Sequence, residues 1–196
     1  LTLRQAYWHA RSEQVMMPPK ATQNDVLAFW FTQTQPKFWF KKDLAFDARI
    51  NSQFGKTVAN ALAGRCDHWA SDMTGCLALI LLLDQFTRNI FRDNARAFSG
   101  DDIALGLSLR CVDRNYITHP DESWRRFMLM PMMHSEDIGI QDMSLPLFEQ
   151  YTSKLTYEYA VKQRDIIARF GRFPHRSAML GRPCSRDEEQ FLTQPG

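Results

Sequence analysis

The sequence has no apolar run of the length that crosses a bilayer as a helix. Its longest uninterrupted apolar stretch runs from Cys76 to Leu83, far short of the roughly 20 residues a span requires, so no membrane partner is expected. Cysteine is sparse. Cys66, Cys76, Cys111 and Cys184 lie far apart and form no C-x-x-C pair, which excludes a disulfide-dense mini-fold and the common zinc-finger spacings. G-x-G-x-x-G, P-loop, H-E-x-x-H and G-x-S-x-G patterns are all missing. The usual sequence signs of a nucleotide, a zinc ion or an esterase serine are therefore lacking, and no cofactor is implied.

An excess of one charge is missing too. Lys and Arg number 24 against 22 Asp and Glu, a net charge of +2. With 44% hydrophobic and 12% aromatic residues, the chain is too apolar and too weakly charged to stay disordered. Its 196 residues suit one domain with a sizeable core. The balance is uneven along the chain, however. Residues 1–163 are neutral. Residues 164–186 carry six Arg (164, 169, 172, 176, 182 and 186) against Asp165, a net +5. Residues 187–196 carry Asp187, Glu188 and Glu189, a net −3. A generally basic chain would point to nucleic acid; this local Arg block points to specific anionic partners, its own carboxylates among them. The adjacent acidic tail and the lack of an RNA-recognition motif make nucleic acid the weaker partner.

Residues 1–20 read as an N-terminal extension, flexible or introduced for expression, with Met16-Met17 as a natural start and Pro18-Pro19 as a helix break. Arg4 and Arg11 are not followed by the apolar core of a secretory signal. With the sparse cysteines, this favours a reduced, cytoplasmic protein.

Residues 21–196 read as a single all-helical domain. Thr22 or Asn24 can cap a short helix bearing Val26, Leu27, Phe29, Trp30 and Phe31. Asp43 can cap a longer one, whose Phe46, Ile50, Phe54, Val58 and Leu62 recur every four residues; Gly64 can stop it. A helix over 72–91 is apolar all round in its first half and must be buried on most sides. From Asp101, alternating Ile103, Leu105, Leu107 and Leu109 allow a strand, but Leu105, Leu109 and Val112 fit a helix face and a lone strand would lack a partner. Helices near 122–130, 136–155 and 156–170 follow, with Pro131 breaking between two and Pro146 kinking the next or marking its first turn. Ser185 and Glu188 have capping-box spacing for a helix over 186–192. Short turns between helices suggest a bundle or an αα-superhelix.

Three polar groups interrupt this background. Asp84, Gln85, Arg88, Asn89 and Arg92 share adjacent turns of one helix face, either as an i,i+4 ion pair or as the wall of a cleft. His134-Ser135-Glu136-Asp137 is either a helix start capped by Ser135, or a proton-transfer pair of His134 with Glu136 or Asp137. Arg169-Phe-Gly-Arg172-Phe-Pro-His175-Arg176 places Gly171 at a left-handed helix end and Pro174 beyond it, while its guanidinium forks can aim at carboxylates or phosphates. The aromatic residues, Trp30, Phe31, Trp39, Phe40, Phe170 and Phe173 among them, suit a core better than a binding box.

Together, Leu77 to Arg92, Pro131 to Asp137 and Arg164 to Arg176 closely resemble the bacterial family called domain of unknown function 924, over roughly residues 24–194. The resemblance implies an all-α fold similar to tetratricopeptide superhelices and no particular activity. The family's polar motif positions map onto Asp84, Gln85, Arg88, Asn89, Arg92, His134, Ser135, Glu136, Arg172, His175 and Arg176. This chain departs from the family pattern at Thr87, Gln163 and Ser177, where the family tends to have Pro, His and Asn. Gln163 cannot act as a general base.

The reading carried forward is a helical scaffold that binds an anionic small molecule or acidic peptide in a cleft lined by the turn at 172–176. Asp84, Gln85, Arg88, Asn89, Arg92, Ser135, Arg172 and Arg176 would be its binding residues. Two alternatives stand beside it. One is a structural network pairing Asp84, Glu136 and Asp137 with Arg88, Arg172 and Arg176. The other is a hydrolase-like enzyme using His134 or His175, with Glu136 in support.

Overall fold

The computed structural model describes residues 21–194, and the described residues contain helices and no strands. The expectations for residues 1–20 lie outside them. Thr22 caps the first helix, α1 (Gln23–Leu27), in a capping box with Asp25. α1 continues into a π-helical turn, Ala28–Gln33, that buries Phe29 and Trp30. The Trp39 indole then donates back to the Trp30 carbonyl over 3.0 Å, pinning the aromatic segment after Pro36 to the core.

Asp43 caps α2 (Leu44–Leu62), whose Phe46, Ile50, Phe54 and Val58 are buried as their spacing demands. Gly64 follows with a positive φ. Asp72 then caps a continuous rod: α3 (Met73–Ile80), a π-helical turn (Leu81–Phe86) and α4 (Thr87–Ile90). Cys76 to Leu83 is buried throughout, because α1, α2, α5 and α6 all pack on this rod. α5 (Asp101–Asp113) is a helix, but its buried face is Ala104, Leu107, Ser108 and Cys111, one residue out of phase with the Leu105 face expected. The Ser108 hydroxyl donates to the Met128 carbonyl over 2.6 Å, which lets a polar residue sit on that face.

α6 (Glu122–Met133) overturns the break expected at Pro131, which lies inside its last turn. Phe127 to Met133 is buried without interruption against α3, α5 and α7, and that packing offsets the one helical hydrogen bond proline removes. Pro146 likewise lies within α7 (Ile138–Tyr151), beyond its first turn and on its exposed side. α7 pairs with α8 (Lys154–Phe170), capped by Ser153 and ended by left-handed Gly171. A capping box starts α9 (Arg186–Leu192) at Ser185, as its spacing predicts. Successive helices packed side by side make an all-α, tetratricopeptide-like helical superhelix.

The turn into α5 approaches the rod backbone to backbone. A Cβ on Gly100 would lie 2.3 Å from the Leu83 carbonyl oxygen, so neither side can yield by rotating a side chain. Gly100→Ala is expected to cost about 1–3 kcal/mol through overpacking, read as a lowered urea midpoint at unchanged slope.

Candidate functional site

Asp84 is the centre of the polar cluster, and its side chain has no solvent exposure. It lies in the π-helical turn, where the regular α progression of side chains is interrupted. His134, at the C-terminal end of α6, meets it: His134 Nδ1 is 2.7 Å from Asp84 Oδ1. Arg88 Nη1 lies 3.1 Å from the same oxygen and also donates to the Asp84 carbonyl over 2.6 Å. Gln85 Nε2 donates to Asp84 Oδ2 over 2.5 Å. Burial by itself would raise the Asp84 pKa; the Arg88 charge and the hydrogen bonds from His134 and Gln85 outweigh it and hold the carboxyl well below the usual range.

The expected partner of His134 is thereby corrected. Glu136 is occupied elsewhere, and Asp137 rather than Ser135 caps α7, accepting from Ile140 N. Ser135 Oγ only accepts from Asp137 N. The helical stripe also divides. Gln85 and Arg88 serve Asp84, whereas Asn89 and Arg92 both turn to the buried Asp47 of α2, Arg92 through two bonds of 2.6 and 2.9 Å.

Four arginines of the C-terminal block, Arg164, Arg172, Arg176 and Arg182, pair with carboxylates of the chain. Arg88 forks onto Asp101 of α5 over 2.9 and 3.0 Å, and Arg176 joins the same carboxylate at 3.2 Å while donating to the His134 carbonyl. The Arg176 guanidinium lies 4.7 Å from the Phe98 ring centre and 4.6 Å from that of Phe173. Glu136 takes Arg182 through two bonds, and the Phe173 amide as a third. Arg172 forks onto Glu188 of the acidic tail and donates to the Pro183 carbonyl. The network reading named the right kind of interaction but only one right pair, Asp84 with Arg88. His175 reaches solvent and packs beside Phe173; the crowded turn and the Arg176 charge hold its imidazole below its usual range.

A separate cleft of about 500 Å³ opens beside this network. Trp39, Phe40, Met130, Met133, Leu155 and Tyr159 form apolar walls; Arg126, His134, Thr156 and Gln163 supply polar groups. The lining residues do not include 172–176. Arg172 lines a different, more open hollow with Arg169, where Asp187 and Glu188 bring negative charge alongside. Among the described residues, no group of three or more His, Cys, Asp or Glu could hold a metal ion, and no helix is long and apolar enough to cross a membrane.

The model of the family described as bacterial proteins of unknown function, DUF924, matches residues 26–196. The chain belongs to this family. A solved structure of a protein of unknown function from Agrobacterium tumefaciens is similar at 35% identity, with a TM-score of 0.83, covering 88% of this chain and 97% of that one. No curated protein matches the chain.

In this family member, local motifs failed to mark Asp101 and Asp47. Each is an ordinary acid in the first turn of a helix, and only the tertiary arrangement reveals its arginine. Removing Arg88 leaves Asp84 buried with reduced compensation. Arg88→Ala is expected to cost about 3–5 kcal/mol, measured by denaturant unfolding, whereas Arg164→Ala at the more exposed Asp142 pair should leave the midpoint nearly unchanged.

The Glu188 carboxyl is held down to about 2 by the Arg172 fork and by the Ser185 amide. A depressed acid contributes stability that is complete above its ordinary value of 4.5 and is lost as pH falls toward 2. Amide protection factors across 185–192, taken against the intrinsic exchange rate at each pH, should therefore fall through that window in the wild type, and in Glu188→Gln they should be low already at neutral pH.

Proposed function

We propose that this protein binds a small amphipathic molecule in the cleft between the Pro36–Phe40 segment, α6 and α8. The observation that carries the reading is the lining. Aromatic and aliphatic walls surround a volume suited to one small ligand, and few polar groups converge on it. Leu155 and Tyr159 are 63% and 52% exposed, and Phe40 is 62% exposed, so apolar surface awaits cover on both sides of the opening. Arg126 lines the same cleft, with Glu122 on its Nη2 and its buried Nε without a partner among the described residues.

The anionic ligand expected of the Arg turn thus moves. The turn's Arg172 and Arg176 face Glu188 and Asp101, and Arg126 becomes the cation that an acidic head group would meet. An apolar body with one acidic or hydrogen-bonding head fits this lining better than an acidic peptide, which would need several unpaired cations. We keep the cytoplasm as the compartment, in line with four free cysteines.

The probe is 1-anilinonaphthalene-8-sulfonate, an aromatic anion whose fluorescence rises on transfer to an apolar site. The folded protein should bind it saturably. Leu155→Asp, at an exposed wall position, should weaken binding by about tenfold or more, since covering a leucine contributes about 1.5–3 kcal/mol. Unchanged affinity in Leu155→Asp would refute the cleft as the site.

A further inference from the structure

We propose that the Asp84–His134 pair makes this cleft catalytic, with His134 Nε2 as general base toward water in the hydrolysis of an ester whose apolar part fills the cleft. The inference rests on the cleft being a ligand site. It goes beyond binding because of how His134 is held.

Nδ1 faces a carboxylate 2.7 Å away that has no solvent exposure. An ionised carboxylate only accepts, so it fixes the proton on Nδ1 and leaves the lone pair on Nε2. His134 lines the cleft with a partly exposed side chain; with Nδ1 committed to Asp84, Nε2 is the nitrogen left to serve an occupant. Among Asp84, Gln85, Arg88, Asp101, Arg176 and His134, His134 alone reaches the cleft lining. The rest of the cluster serves to hold Asp84 and its charge in place. Asp84 touches the imidazole and not the cleft, so it is a positioning residue.

Water is the nucleophile this lining supports. Thr156 is the one hydroxyl-bearing aliphatic residue in it, and its Oγ1 lies 3.0 Å from Ser153 Oγ at the start of α8. The step balances without any other reactant. His134 Nε2 takes a proton from water as the water oxygen bonds to the ester carbonyl carbon. The tetrahedral intermediate expels the alcohol oxygen, which takes the proton back from Nε2. His134 ends as it began, and the products are a carboxylic acid and an alcohol. The Arg126 guanidinium is the cation in the same lining that can face the oxyanion formed between the two steps.

The test uses the full chain with p-nitrophenyl butyrate, following p-nitrophenolate release, beside the anilinonaphthalene sulfonate titration. Saturable turnover with a solvent deuterium isotope effect on kcat is expected. His134→Gln should lower kcat about 10²–10⁴-fold with KM and dye affinity nearly unchanged. Asp84→Asn, checked for folding by its thermal transition, should lower kcat in the same sense. His68→Gln, on the exposed surface away from the cleft, should hydrolyse like the wild type. Dye binding without turnover above the buffer blank overturns the catalytic proposal and leaves the binding reading intact. Turnover that survives His134→Gln, or falls equally in His68→Gln, overturns it as well. Absence of both dye binding and turnover overturns both.

Discussion

A carboxylate sealed from solvent at Asp84 constrains more of this structure than any other group. Taking one charge out of water costs several kcal/mol even after relaxation, so the fold must bring compensation to it. Arg88 comes from the next turn of the same rod, Gln85 from the adjacent position and His134 from the end of α6. Arg88 in turn needs Asp101 at the start of α5, and Asp101 draws in Arg176. The close approach of Gly100 to Leu83 belongs to the same requirement, because it seats the start of α5 against the turn that carries Asp84. Four segments far apart in the chain are thus registered by one alternating series of charges.

The C-terminal arginines extend that series outward. Glu136 receives Arg182 and the Phe173 amide, and Glu188 receives Arg172. The +5 block therefore meets acids from both sides: Asp101 and Glu136 in the neutral body, Glu188 in the tail. Bidentate forks hold direction as well as charge, and the Phe98 and Phe173 rings against the Arg176 guanidinium help bury it. A segment built this way is a clamp between α5, the connection from α6 to α7, and α9.

Helix periodicity and caps were readable from sequence because they are local. The four-residue spacing from Phe46 to Val58, the Asp43 cap and the Ser185–Glu188 box all depend on residues within a turn or two of each other. Proline was misread where burial outweighs propensity: Pro131 sits in a stretch so enclosed that packing carries the helix past it. The α5 face was misread by one position because leucine on both sides of a helix blurs the phase, and Ser108 hides on the buried side. In the polar cluster, composition pointed to residues that do make buried polar contacts but paired them with the wrong partners. His134 lies two residues from Glu136 yet binds Asp84, fifty positions away. A neighbour in sequence is a cheap hypothesis, whereas a buried acid takes whichever donor the fold delivers.

That same partnering decides where chemistry can occur. Arg172 and Arg182 each spend two guanidinium nitrogens on a carboxylate, so the most basic stretch of the chain has few N–H donors left for an anion, whereas Arg126 meets Glu122 through Nη2 alone and keeps its Nε unpartnered among the described residues. His134 differs, because only one of its two nitrogens is committed. Its Nδ1 belongs to the network, and its ring borders an apolar cleft that the network does not fill. A group held rigidly on one side and open on the other is what proton transfer requires, since orientation is settled before the substrate arrives. Gln163 lines that cleft as well, and an amide there can orient a ligand but cannot take its proton. On the proposal that this cleft hydrolyses an ester, His134 would act alone as its base, with Asp84 behind it.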